Sequence, residues 1–188
     1  MKMGWRKISG LLLALVGAAA LYCLYDFYHW PLGLVTTYAV SRYFPTWQRS
    51  LATFRLVHVS TCRTEDFVPS SPLSFLVASM DDRDVDLERS RTLFRHFQSV
   101  GCDVNAATRG LRPLHEAILY RNAELVSFLL ERGADPALTL TSPDKHAGLD
   151  SYQWADWVCS KPGRSCDQLQ RVLQATASNN RIERPREP

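Results

Sequence analysis

Cys159 and Cys166 bracket the stretch SKPGRS, in which Pro162 and Gly163 mark a turn. Two cysteines at the mouth of a short helix-to-helix loop can reach disulfide distance. Closing so short a loop contributes roughly 2–3 kcal/mol in the chain-entropy treatment, and the bond persists only in an oxidising compartment. The alternative is a pair of reduced thiols. No second Cys or His pair stands at ligand spacing, so the two are not half of a zinc site. Cys23 falls in an apolar run, where an inert thiol is expected. For Cys62 and Cys102, pairing and free thiols both stay open.

Other residue types with chemical potential do not converge. His29, His58, His96, His115 and His146 are far apart along the chain. Asp81, Asp82, Asp84 and Asp86 crowd one short stretch, but lack the glycine and distal glutamate of a calcium-binding loop. A solvated acidic turn is the expectation. There is no Gly-rich phosphate loop and no nucleophile elbow. The chain therefore reads as a non-enzyme, with no catalytic residue, metal, cofactor or small-molecule substrate expected.

Charge narrows the partners. The formal net charge is +3, and Lys2, Arg6 and Lys7 are the only charges before Asp26. From there on acidic and basic residues balance. Without a basic face to release counterions from phosphates, nucleic acid is excluded as a partner.

The apolar run Ile8–Tyr25 contains no charge. As a helix it is about 27 Å long, close to the hydrocarbon thickness of about 30 Å. Trp5 flanks one end; Tyr22, Tyr25, Phe27, Tyr28 and Trp30 cluster at the other. Such aromatics favour the headgroup level, and the basic residues before the run keep the N-terminus in the cytoplasm. A cleavable signal peptide could instead be cut after Ala18-Ala19-Ala20. A lipoprotein signal needs a small residue before its cysteine, and Cys23 follows Tyr22. A buried core helix needs neither the charge step nor the aromatic cluster. The expectation is a single-pass anchor over residues 1–30, spanning an inner (plasma) membrane of bacterial type through residues 8–25, with the rest periplasmic or otherwise extracytoplasmic.

The elements behind the anchor follow from periodicity. In GLRPLHEAILYRNAELVSFLLERGADPAL, Pro113 opens a helix at the position where its missing N–H costs nothing. Leu114, Ala117 and Ile118 make one apolar face; Leu125, Val126, Phe128, Leu129 and Leu130 make a second. Gly133 ends that helix. Asp135-Pro136 begins a turn. Two helices this short cannot be stable alone, which directs attention to repeats.

These residues resemble the ankyrin repeat family. Gly110, Pro113, Leu114, His115 and Ala117 meet its first signature; Val126, Leu129, Leu130, Gly133, Ala134 and Asp135 meet its second. Arg112 stands where the family prefers Thr, removing a hydroxyl cap worth about 1 kcal/mol. Gly101 lies 32 residues before Gly133, close to the family's period. A preceding copy starts at Pro72, Leu73 and Ala78, carries Asp81–Asp86 as an insertion, and continues through Leu93, Phe94, Phe97 and Val100. A degenerate third copy aligns Gly148, Tyr152, Gln153 and Ala155 with Gly110, Leu114, His115 and Ala117, then continues through Leu169, Val172 and Leu173.

The expected fold is thus all-α: an ankyrin-repeat solenoid over residues 69–177 (about 69–107, 108–140 and 146–177), behind a helical N-terminal cap at 31–68 and the single transmembrane helix. Residues 178–188 are polar and Pro-containing, and a disordered tail is expected. The resemblance implies a structural, loop-bridging role for His115. It also implies a concave protein-binding face at Thr108, Arg109, Leu111, Glu116, Leu119, Tyr120, Leu149, Trp154 and Trp157, gripping one protein partner. A competing expectation is that the loop 137–148 folds over the two tryptophans as a lid. A short anchored binder of this kind fits an immunity protein neutralising an envelope-targeting toxin. The alternative is a structural or assembly factor of an inner-membrane complex, with the small residues Gly17–Ala20 allowing close helix approach.

Overall fold

The computed structural model describes residues 5–60, 62, 71–141 and 146–183, with side chains described outside 5–14, 24 and 179–183. The described residues are all-helical. The elements are α1 (Trp5–His29), α2 (Leu32–Val40), α3 (Thr46–Val57), α4 (Pro72–Met80), α5 (Leu87–Ser99), α6 (Pro113–Leu119), α7 (Ala123–Glu131), α8 (Ser151–Cys159) and α9 (Asp167–Glu183). Among the described residues there is no strand, only isolated bridges at Ser41–Val85 and Thr108–Leu111.

Local sequence explains where the helices start. Ser71 caps α4, its Oγ accepting from Ser74 N at 3.1 Å, and Pro72 opens the first turn. Asn122 Oδ1 caps α7 through Leu125 N at 3.0 Å. Asp150 and Gln153 form a reciprocal capping box on α8. The ends of α5 and α7 are copies of each other. Gly101 and Gly133 have φ of 94° and 89°, a region costly for other residues. The next residues, Cys102 and Ala134, donate back to Phe97 O and Leu129 O, each at 3.0 Å.

The pairs α4/α5, α6/α7 and α8/α9 lie side by side. Helix α6 packs between α4 and α8, and α7 packs on α9. Across α5 and α7, Phe94 and Phe128 meet edge-on at 5.1 Å between centroids. The resulting core is continuous. Leu73, Phe97, Ile118, Val126 and Leu129 are fully enclosed within it, and Leu169 is 1% exposed. Burying each such side chain contributes about 1.5–3 kcal/mol, which stabilises helices that would be marginal in isolation.

The acidic stretch is not a solvated turn. Arg42 N donates to Asp84 O at 2.7 Å and Asp86 N donates to Val40 O at 2.8 Å, so the insertion docks onto the end of α2. Tyr43 Oη donates to Asp84 Oδ2 at 2.5 Å, and Arg49 pairs with Asp86. Burial pushes the Asp86 carboxyl up, but the Arg89 N–H and the Arg49 guanidinium outweigh it and hold it below its ordinary value. The aspartates therefore weld the α2–α3 hairpin to the first helix pair.

Two disulfides complete the framework. Cys159–Cys166 spans 5.9 Å between Cα atoms, and Cys62–Cys102, left open by the sequence, spans 5.1 Å. The latter closes 40 residues, a loop worth about 4 kcal/mol by chain entropy. At the C-terminus, α9 continues to Glu183, past the point where a disordered tail was expected. Ala175, Ala177, Arg181 and Glu183 are good helix formers, and Pro185 is the first residue beyond α9 that could not extend it. Residues 184–188 lie outside the described residues. At the other end, the expected span at 8–25 begins among side chains outside those described. Among the described residues, no helix is long and apolar enough to cross a membrane.

Candidate functional site

The loop before α6 is a tight turn. Thr108 and Leu111 exchange backbone hydrogen bonds at 2.7 and 3.0 Å. Arg109 and Gly110 both have positive φ, 51° and 83°, as a two-residue hairpin turn requires. Arg109 is exposed at its tip, and Leu111 is half-buried. Thr108 was expected on the binding face, but it is buried: its Oγ1 accepts from Ser71 N at 3.0 Å, joining this loop to the previous unit.

Arg112 does not cap α6, as its missing hydroxyl implies. Its guanidinium instead donates to Asn105 O and, through Nε at 3.2 Å, to Thr139 O. Asn105 Oδ1 accepts from Asp135 N at 2.9 Å. Successive loops are therefore tied in register by Asn105 of the first unit and Arg112 of the middle one.

Inside that frame, His115 is fully buried. The resemblance implied a loop-bridging hydrogen bond, but neither ring nitrogen has a partner among the described residues. Burial and the nearby Arg112 push the imidazole down to about 4, so the ring is neutral. It is the His115 carbonyl that bridges, accepting from Trp154 Nε1 at 3.0 Å. Next to it, burial raises the Glu116 carboxyl to about 7, with Oε2 enclosed and unpartnered.

The third unit corrects the two-tryptophan expectation. Trp154 is only 5% exposed and belongs to the core. Its ring stacks on Trp157 at 4.9 Å, 10° from parallel. His146 lies against both, at 5.6 and 4.2 Å. Of the loop expected as a lid, His146 lies over the rings and Leu140 N donates to Leu149 O at 2.9 Å; residues 142–145 lie outside the described residues. Leu149 is half-buried in the same closure. Trp157 stays partly accessible, with the Lys161 ammonium 5.2 Å from its ring centre.

Arg121 was missed in the sequence. It sits at positive φ, 53°, in the α6–α7 turn. Its guanidinium donates to the carbonyls of Val158, Lys161 and Arg164, each at 2.6 Å. A Cβ at Gly163 would collide with that guanidinium, so a side chain there would push Arg121 off these carbonyls. Arg164 in turn donates to Asp81 Oδ1 at 2.8 Å. The only sequence signal was an arginine just after an apolar helix; its target lies about 40 residues away.

What stays open is a hollow of about 360 Å³ lined by Leu119, Tyr120, Trp157, Val158, Lys161 and Arg164. Leu119 is 42% exposed beside fully buried Ile118. The hollow brings together three of the expected residues, Leu119, Tyr120 and Trp157, with three cations, Lys161, Arg164 and the carbonyl-bound Arg121. It suits an apolar group with an acidic neighbour. Among the described residues, no cluster of His, Cys, Asp or Glu could hold a metal ion.

Residues 109–139 match the family model for the ankyrin repeat, and that segment, from the tip turn through α6 and α7, is an ankyrin repeat. No curated protein and no solved structure matches the chain.

The Glu116–His115 neighbours generate a pH signature. Glu116 is raised from 4.5 to about 7, so folding holds its proton more tightly and its contribution to stability falls as pH rises between those values. His115 is lowered from 6.5 to about 4, so its contribution rises with pH over that window. The two slopes oppose each other. Glu116→Gln removes only the falling one. Urea midpoints of the variant should exceed those of the parent by a margin that grows between pH 4.5 and 7 and is level above. A margin equal at pH 4.5 and 8 contradicts the assignment.

Proposed function

We propose, with the ankyrin repeat at residues 109–139 as premise, that the three stacked helix pairs form one short ankyrin-type array. We read that array as a protein-binding module tethered to a membrane by residues 8–25. The observation that carries binding is the hollow around Leu119, Tyr120 and Trp157, ringed by Lys161 and Arg164. Aromatic anchors beside arginine are the residue types that dominate interface energy. The partner is one protein offering an apolar side chain flanked by carboxylates. Anchoring is supported by the uncharged run and its aromatic flanks, of which Tyr22, Tyr25 and Tyr28 are exposed.

An extracytoplasmic position for the array is supported by the two disulfides, since such bonds persist in oxidising compartments. In its sharper form, the module is an immunity protein that neutralises an envelope-targeting toxin: a small rigid binder held where the toxin acts. A second reading, an assembly factor acting through the span, is favoured by one observation. Gly17 has open space where a Cβ would stand, and Ala18–Ala20 are exposed, so another helix could approach closely.

Leu119→Arg tests the binding face. Photocrosslinking in membrane fractions followed by titration of the captured protein should show at least about tenfold weaker binding, roughly 1.4 kcal/mol, with the thermal midpoint unchanged. Unchanged capture contradicts the hollow as the binding site. Thiol tagging tests the compartment. Protein taken from intact cells under denaturing, non-reducing conditions should accept a maleimide tag at Cys23 alone, and at all five cysteines after reduction. Five tags without reductant contradict an oxidising location.

A further inference from the structure

Helices α1 and α3 do not close on each other along their shared length. At the far end Arg55 ties them, its guanidinium donating to the carbonyls of Phe27 and, at 2.7 Å, Trp30. Nearer the start of α3 a groove of about 430 Å³ remains, walled by Ala20, Cys23 and Phe27 on one side and by Trp47, Gln48 and Leu51 on the other. Its walls are mostly apolar. Asp26 is the one charged group in the lining, and it accepts from Trp30 Nε1 at 3.2 Å. No Lys or Arg lines the groove, so its chemistry does not suit a phosphate headgroup.

The groove's position says what does suit it. Ala20 and Cys23 belong to the apolar run that ends at Tyr25. Five helical residues span about 7.5 Å, within the 5–10 Å to which interfacial helices sink their apolar faces. Trp47 is 67% exposed at the rim, and Tyr22, at 69%, faces out beside it. Tyr and Trp concentrate at the boundary between headgroups and acyl chains. An apolar slot framed by such rings, and continuous with the apolar surface of the run, meets hydrocarbon chains rather than water.

We infer that the α1–α3 groove holds one acyl chain of a membrane glycerolipid, fixing the α2–α3 cap against the outer leaflet. The site rests on the membrane-anchor reading above. Because α3 is welded to the first helix pair through Arg49 and Asp86, the bound chain also sets the orientation of the binding face relative to the membrane.

The full-length protein is reconstituted in phosphatidylethanolamine–phosphatidylglycerol vesicles carrying a phosphatidylcholine with a diazirine on its acyl chain. Adducts are mapped by mass spectrometry after photolysis. Adducts are expected at Trp47, Gln48 or Leu51 as well as along α1. Leu51→Trp, which fills the groove, should lower the α3 adducts at least tenfold while the α1 adducts persist; Gln48→Trp at the rim is the second variant if the first unfolds by circular dichroism. Adducts confined to α1 overturn the groove and leave the anchor standing. With p-benzoylphenylalanine at Gln48 in native membranes, a crosslink to a protein instead of lipid overturns it in favour of a partner helix. Absence of adducts everywhere, with the protein extracted by carbonate, overturns the groove and the anchor together.

Discussion

No helix pair here can hide its apolar side by itself, and that constraint organises the rest. Helix α6 has seven residues and α7 has nine, well below the length at which an isolated helix is stable in water. Their apolar faces are enclosed only because α4, α8 and α9 lie against them. The Phe94–Phe128 contact and the side-chain ties from Asn105 and Arg112 hold the loops and helices of successive units in register. The hollow at Leu119 and Trp157 exists because α6 and α8 are held side by side while the third unit's loop is pulled down by Arg121.

The ends of the stack face a different problem, since each has one side without a further unit. The first end is covered by α2 and α3, welded through the Asp84 and Asp86 contacts and by the Cys62–Cys102 bridge. The last end closes on itself: α9 buries Leu169 and Leu173 and exposes Gln168, Gln170, Arg171 and Gln174, with Cys159–Cys166 closing the turn between α8 and α9. Aspartates and cysteines, which could have marked a metal site or redox chemistry, serve here as joints. Of these joints, the Asp81–Arg164 pair and the Cys159–Cys166 bridge lie beside the hollow and hold the loop that lines it.

Legibility tracked the range of the interactions. Pro113, Gly133 and the apolar spacing of Leu114, Ile118, Val126 and Leu129 act within a few residues, and the helix pair could be read from them directly. The Cys159–Cys166 closure was also local. What could not be read was long-range. Arg121 looked like an ordinary surface arginine until its carbonyl targets in the 158–164 loop were in place. Asp84 and Asp86 looked solvated because their partners, Tyr43 and Arg49, lie about 40 residues earlier. Trp154 and Trp157 share a helical face, but burial on that face depends on where His146 returns. Thr108 was placed on the open face by its position in the pattern, although its hydroxyl is used by Ser71.

One shared core implies one cooperative unit, and native-state hydrogen exchange reads that most directly. The amides of α4 through α8 should exchange with a common free energy equal to that of global unfolding, each helix protected by its neighbours. If α8 and α9 open at a distinctly lower free energy while α4 to α7 stay protected, or if each pair opens independently, then the units do not share a core and the stacked account fails.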